Sequence, residues 1–156
     1  IKHGKPSVLG IVTGMVAGLG TITPASGYVG PVGALIIGLS AGVVCYFATQ
    51  FIKRSLKIDD SLDVFPVHGV GGILGTLLAG VFAAENLGGI GHAEGVSMGH
   101  QVVVQAVGVV ATIAWCAILT FALLKLVGMF VGLRVDEESE VQGLDLSEHD
   151  ERGYIL

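Results

Sequence analysis

Apolar positions run along this chain in four long stretches without charge, separated by short polar segments. Val32 to Ile52, closed by Lys53 and Arg54, is one full-length stretch; Val64 to Ala84, closed by Glu85, and Val102 to Leu124, closed by Lys125, are two more. A helix needs about 20 residues to cross the roughly 30 Å hydrocarbon layer, and each of these three meets that length. Leu9 to Ile22 reaches only about 21 Å as a helix before TPASGYVGP, whose prolines and glycines resist continuation. It is predicted as a short span. Helices apolar around their whole circumference offer no solvated face, which argues against a soluble domain. The pattern predicts an all-α, polytopic membrane helix bundle, with spans over residues 9–22, 32–52, 62–84 and 102–131 and a tail over 135–156.

Basic residues orient the spans. Lys2 and Lys5 precede the first run, none lies in the turn Thr23 to Pro31, and Lys53, Arg54 and Lys57 follow the second. None lies between Glu85 and Gln101, and Arg134 follows the last. Since Lys and Arg collect in short cytoplasmic loops, four spans with both ends in the cytoplasm satisfy every loop, leaving the Gly-rich segment ENLGGIGHAEGVSMGH external. The protein is expected in a plasma or inner membrane with a cytoplasmic C-terminus.

Composition agrees: 52% of residues are hydrophobic and 13% charged, against roughly 25% charged in soluble domains. Of the thirteen acidic residues, eight fall between Asp136 and Glu151, so the net charge of -5 describes the tail. No basic stripe exists for nucleic acid. Cys45 and Cys116 sit in apolar runs and read as packing groups. The sequence opens IKHGKPSV, with no initiator methionine and no signal-peptide order, and is expected to be the back end of something longer. Gly10, Gly14 and Gly18, then Gly38 and Gly42, then Gly71, Gly75 and Ala79 put small residues at four-residue spacing on three runs, which suits close helix crossings. There is no histidine pair at metal-binding spacing, no nucleophile elbow, P-loop or dinucleotide fingerprint. Neither an enzyme nor a metal or cofactor is expected.

DVFPVHGVGG places a histidine well inside a span. His68 falls about seven residues, or roughly 10 Å, past Ser61, the expected N-cap, which puts the ring inside the hydrocarbon. Positions three, four and seven further on are Gly71, Gly72 and Gly75, so the ring is expected beside bare backbone. A core histidine hydrogen-bonded to other helices is the plain alternative, but intramembrane ionisable residues are functional by default. Desolvation favours the neutral ring, which both donates and accepts and can therefore hand on a polar solute or a proton. Asp63, in the first turn, suits the helix dipole as a structural group, and at five residues from His68 it forms no dyad with it. His92 and His100 in the external loop, His3 and His149 are expected to be solvated.

Three blocks, GKPSVLG...AGLGTITPASGYVGP from Gly4, KIDDSLDVFPVHGVGGILGTLLAGVF from Lys57 and GLRVDEESEVQGLDLSEHDERGY from Gly132, resemble the ammonium transporter, methylammonium permease and Rhesus protein family. Their order fits that family's last four spans and tail. The resemblance implies an eleven-span homotrimer with a pore in each subunit, in which ammonium is recruited outside, loses its proton and crosses as ammonia past two facing histidines. His68 matches the second of these, Thr23 a hydroxyl near the recruitment site, Val64 a pore-lining position and Asp63 a structural aspartate. The first histidine and the aromatic recruitment site belong to spans absent here, so this chain alone is expected neither to conduct nor to fold stably.

The tail resembles the family's regulatory end. Ser147 matches a position phosphorylated as threonine in plant members; phosphate between Asp145 and Glu148 would add like-charge repulsion. A PII-type signalling protein is an implied partner at this face. A solubilising, disordered acidic tail is the alternative. For the whole protein, two rivals to transport stand: an ammonium sensor of the same fold signalling through its tail, and a structural membrane subunit whose histidine only joins helices.

Overall fold

The computed structural model describes residues 7–153, and its regular elements are all helices, with no strand among the described residues. Four helical stretches, Val8–Ala25, Pro31–Ser55, Phe65–Phe82 and Met98–Gly128, are long and apolar enough to cross a membrane. The chain divides into two compact units, one through Ala111 and one from Thr112.

Helix α1 (Val8–Ile22) starts at Ser7, whose Oγ accepts from Gly10 N at 3.3 Å. It tightens into a 3-10 turn at Thr23–Ala25, because Pro24 brings no N–H for a further α-helical bond. Gly27, at φ +83°, turns the chain. Helix α2 (Pro31–Gln50) begins on a proline, whose missing amide costs nothing at a first turn. It runs on as a π-helical turn over Phe51–Ser55, with Lys53 and Arg54 at the negative end of the dipole. A second π-helical segment, Phe65–Val70, leads into α3 (Gly71–Phe82). Helix α4 (Met98–Gly128) begins four residues before the expected Val102, because the Ser97 hydroxyl accepts from His100 N at 3.2 Å and starts it there. Lys125 lies inside it.

Small residues do set the crossings, though not all of the expected ones. Gly71, Gly75 and Ala79 of α3 are buried. On α1 the buried positions are Ala17 and Thr21, and on α2 they are Gly33, Ile37, Ala41 and Cys45, four apart. By contrast, Gly14, Gly18, Gly38 and Gly42 face open space, with nothing within 4 Å of where a Cβ would stand. The inner core of this unit joins Ala17, Cys45 and Val67, and the outer one Ala25, Ile37 and Ala79 with Ile22, Val29, Leu78 and Phe82 against them. At the start of α4, Val102 backbone and the Gln105 side chain pack on Gly80 at 3.2 Å from its virtual Cβ.

The glycine-rich segment after α3 is stitched down by its backbone. Gly89 N donates to Ala84 O at 3.1 Å, Gly91 N to Ala83 O at 2.8 Å, and Ile90 N to Tyr28 O at 3.1 Å. His92, expected to be solvated, is half-buried instead: its Nε2 lies 3.0 Å from the Gly80 carbonyl, one of those left over in the last turns of α3.

In the second unit the tail is ordered rather than free. Asp136 caps α5 (Glu137–Gln142): its Oδ1 accepts from Ser139 N at 2.9 Å and its Oδ2 from the Ser139 hydroxyl at 3.1 Å. Arg134 holds the Glu140 carboxylate with two nitrogens, at 2.5 Å and 2.9 Å. The Ser139 backbone amide holds the Asp136 carboxyl below the usual carboxylate range, and the Arg134 hydrogen bond does the same for Glu140. Gly143, at φ +99°, turns into α6 (Leu144–Ser147), where the half-buried Ser147 hydroxyl donates to Ser139 O at 3.5 Å.

Candidate functional site: the histidine of the third span

The segment before His68 is built by a carboxylate, and it is not the expected cap. Asp60 Oδ1 accepts from Val64 N at 2.9 Å and Oδ2 from Phe65 N at 2.8 Å. Two of the orphan amides at this helix start are thereby satisfied by an anion at the positive end of the dipole. Ser61 is exposed and no cap bond from it is seen among the described residues. Asp63 lies in the left-handed region at φ +56°, a conformation Asp tolerates better than most residues. Its carboxylate lies 2.7 Å from Lys53 Nζ, and its carbonyl accepts from Val67 N at 3.1 Å. Asp63 thus ties the start of the third span to the end of the second through Lys53.

The π-helical backbone of Phe65–Val70 then fixes where the ring goes. His68 is exposed within this chain and lines an open depression of about 570 Å³ with Ile52, Asp59, Val64, Phe65 and Gly69. Val64 and His68, singled out separately in the sequence, thus share one wall. Asp63 does not: it lines a different cavity, of about 270 Å³, with Thr13, Tyr46, Thr49 and Val67. The absence of an Asp63–His68 dyad follows from that separation.

The glycine strip divides. Gly71 and Gly75 pack against Thr21, whose hydroxyl would stand 2.6 Å from a Cβ on Gly71 and whose carbonyl oxygen lies directly over Gly75. Gly72 meets nothing within 4 Å. The residue that faces the ring is Gly20 of α1, where a Cβ would lie 3.6 Å from His68 Nδ1. Gly20 and Asp60 are the two residues of this site that sequence patterns missed. Asp60 could have been found as a carboxylate four residues before the first apolar position; no local signal points to Gly20.

Thr23 is not brought to the ring. It is exposed at the far end of α1, its hydroxyl donating to Leu19 O at 2.7 Å. Beside it, Pro24 and Tyr28 line a third cavity of about 420 Å³ with His92, Gln101 and Gln105. Among the described residues, no group of three or more His, Cys, Asp or Glu side chains is placed to hold a metal ion.

A family model described as Ammonium Transporter Family matches residues 1–154. An ammonium transporter of Aquifex aeolicus is 48% identical over 155 residues, covering 98% of this chain and 36% of its own length. A putative ammonium transporter of Methanothermobacter thermautotrophicus is 44% identical over 158 residues, covering 100% of this chain and 39% of its own. Among solved structures, one described as Sensor Amt Protein superposes with a TM-score of 0.82 at 36% identity, over 94% of this chain and 36% of that one. The chain spans little more than a third of the length of these proteins.

Proposed function

Because this chain belongs to the ammonium transporter family, we propose that the protein it represents carries ammonium or ammonia across a membrane, with His68 on the conduction route. The observation that carries this reading is the placement of His68 and Val64 together on an open depression at the start of a span whose other faces are packed. An intramembrane imidazole is retained where it meets a cavity or partner, and within this chain His68 is left uncovered. Ammonium recruited outside gives up its proton to water on that side, and ammonia passes along an apolar wall formed by Val64 and Phe65. The neutral ring of His68 donates from one nitrogen and accepts at the other. A second histidine, from spans this chain lacks, faces it. Thr23 serves the external recruitment side. The working form is a homotrimer in a plasma or inner membrane, with the tail in the cytoplasm. There Ser147 is open to phosphorylation and a PII-type protein docks.

Methylammonium uptake by the full-length protein tests this. Replacing His68 with Leu is expected to reduce uptake at least ten-fold while the protein still reaches the membrane. Wild-type uptake in that variant refutes the role of the ring. A second reading is motivated by the likeness to the protein described as Sensor Amt Protein: an ammonium sensor of the same fold that relays occupancy through its ordered tail. It predicts negligible flux in the unaltered protein, together with a ligand-dependent change in amide exchange at α5.

A further inference from the structure

Gly80, near the end of α3, anchors two polar side chains at once. Ala83 N donates to Ala79 O and Ala84 N to Val81 O, so the closing turn of the helix passes over the Gly80 carbonyl. His92 Nε2 takes that carbonyl at 3.0 Å. The bare Cα of Gly80 receives α4, with Gln105 Cγ and the Val102 backbone 3.2 Å from where a Cβ would stand. The backbone before His92 is tethered as well, Ile90 N to Tyr28 O and Gly91 N to Ala83 O. Tyr28, His92, Gln101 and Gln105 thereby line one cavity of about 420 Å³, the two glutamines a helical turn apart on one face of α4. A carbonyl only accepts, so Nε2 carries the ring hydrogen and the neutral ring keeps an acceptor at Nδ1. Among the described residues, no protein group is bonded to that nitrogen, to the Tyr28 hydroxyl or to either glutamine amide.

We propose that this cavity binds an ammonium group, that of ammonium itself or of a small primary alkylammonium ion, at a site of its own apart from His68. His92 Nδ1, the two glutamine side-chain carbonyls and the Tyr28 hydroxyl offer neutral acceptors to its several N–H donors. The surroundings select a cation over an anion. No Lys or Arg occurs between Lys57 and Lys125, whereas the Glu85 carboxylate stands beside Gly91, another residue of the wall, at 2.8 Å from where its Cβ would be. The end of α3 brings the negative pole of its dipole to the same place. Amides in the first turn of α4, which would favour an anion, are already engaged: His100 N by the Ser97 hydroxyl and Gln101 N by the Ser97 carbonyl. An imidazole nitrogen among the acceptors suits an N–H donor better than a hard metal cation, which takes oxygen ligands. The site goes beyond the transport reading and stands whether or not the protein conducts.

Nitrogen NMR of the histidine rings in the full-length protein tests this, with methylammonium chloride titrated in and sodium chloride in parallel. The His92 signal is identified by its loss in His92→Gln, which keeps an N–H for the Gly80 carbonyl. Its Nδ1 resonance is expected to move saturably with methylammonium and to stay in place with sodium. Gln101→Leu and Gln105→Leu each remove one acceptor and should weaken that response about ten-fold. His68→Leu should leave it unchanged, since His68 lines a different depression. No movement in the unaltered protein, the result if another part of the longer protein fills the cavity, overturns the proposal. So does equal movement with sodium, or unchanged affinity in both glutamine variants. Uptake is read separately: its absence in the unaltered protein defeats the transport reading and leaves the His92 response as it was.

Discussion

Two glycines three residues apart on α3 should respond to alanine in opposite ways. At Gly75, an added Cβ falls inside the van der Waals radius of the Thr21 carbonyl oxygen, 2.9 Å from the carbonyl carbon and 3.4 Å from Pro24 Cδ. At Gly72 it meets nothing within 4 Å. The intrinsic gain from Gly to Ala in a helix, about 1 kcal/mol, is common to both and cancels in their difference. What remains is overpacking against backbone, which no rotamer change can relieve, so α1 and α3 must shift apart. Such insertions cost about 1–3 kcal/mol. A difference near 2 kcal/mol corresponds to about thirty-fold in the folding equilibrium. Gly71→Ala falls between them, as its Cβ opposes the Thr21 hydroxyl at 2.6 Å and the Cys45 sulfur at 3.3 Å. Thermal unfolding of the detergent-purified full-length variants should rank Gly72→Ala highest, then Gly71→Ala, then Gly75→Ala. A melting temperature for Gly75→Ala equal to or above that of Gly72→Ala would refute the assignment of this crossing.

Other expectations follow from the same geometry. Asp60→Ala strips the acceptor from the Val64 and Phe65 amides and should destabilise by about 1–2 kcal/mol, whereas Ser61→Ala, at an exposed position, should stay within about 0.5 kcal/mol in a thermal melt. The Asp136 and Glu140 carboxyls are both depressed, by Ser139 and Arg134 respectively. Their support for α5 is therefore complete above the unfolded carboxylate range, about pH 4, and is lost as pH falls through the lower folded values. Amide protection factors in the tail, corrected for the intrinsic pH dependence of exchange, should be flat from neutral pH down to about pH 5 and fall below about pH 4; a fall between pH 6 and 8 would contradict this. Ser147→Asp sets a negative charge at the C-terminal end of α6 and removes the hydroxyl donor to Ser139 O. It should loosen α5 in the same measurement, and unchanged protection there would count against Ser147 as a control point.

The four spans were legible because apolar length is a local property. Their starts were less so, because a start depends on which side chain captures the first free amides. The Ser97 hydroxyl moved α4 forward by four residues, and Asp60 displaced Ser61 as the cap of the third span. That His68 lies within the third apolar stretch could be read from the sequence, whereas its neighbours could not. Counting by α-helical steps put it over Gly71, Gly72 and Gly75, but the segment Phe65–Val70 is π-helical, and an i to i+5 bonding pattern rotates every later face. Gly20 lies on another helix, 48 positions away, and only packing brings it to the ring. Likewise the order in the tail depends on Arg134 meeting Glu140 six residues on, a pairing that an excess of acidic residues hides.

Thr21 has no exposed surface; its carbonyl is set on Gly75, its hydroxyl on Gly71, and Cys45 of α2 stands against the same spot. Three helices thus meet at one residue of α1, and changes made there will not combine as independent effects. Residues that share a contact show interaction energies of about 0.5–3 kcal/mol of either sign. A Gly71→Ala lesion should therefore be partly repaired by trimming Thr21 to Ser or Ala, although each trim alone is harmful. Drift at this joint is confined to correlated steps, and sequences descending from this one should change Thr21, Cys45 and Gly71 together or leave all three alone.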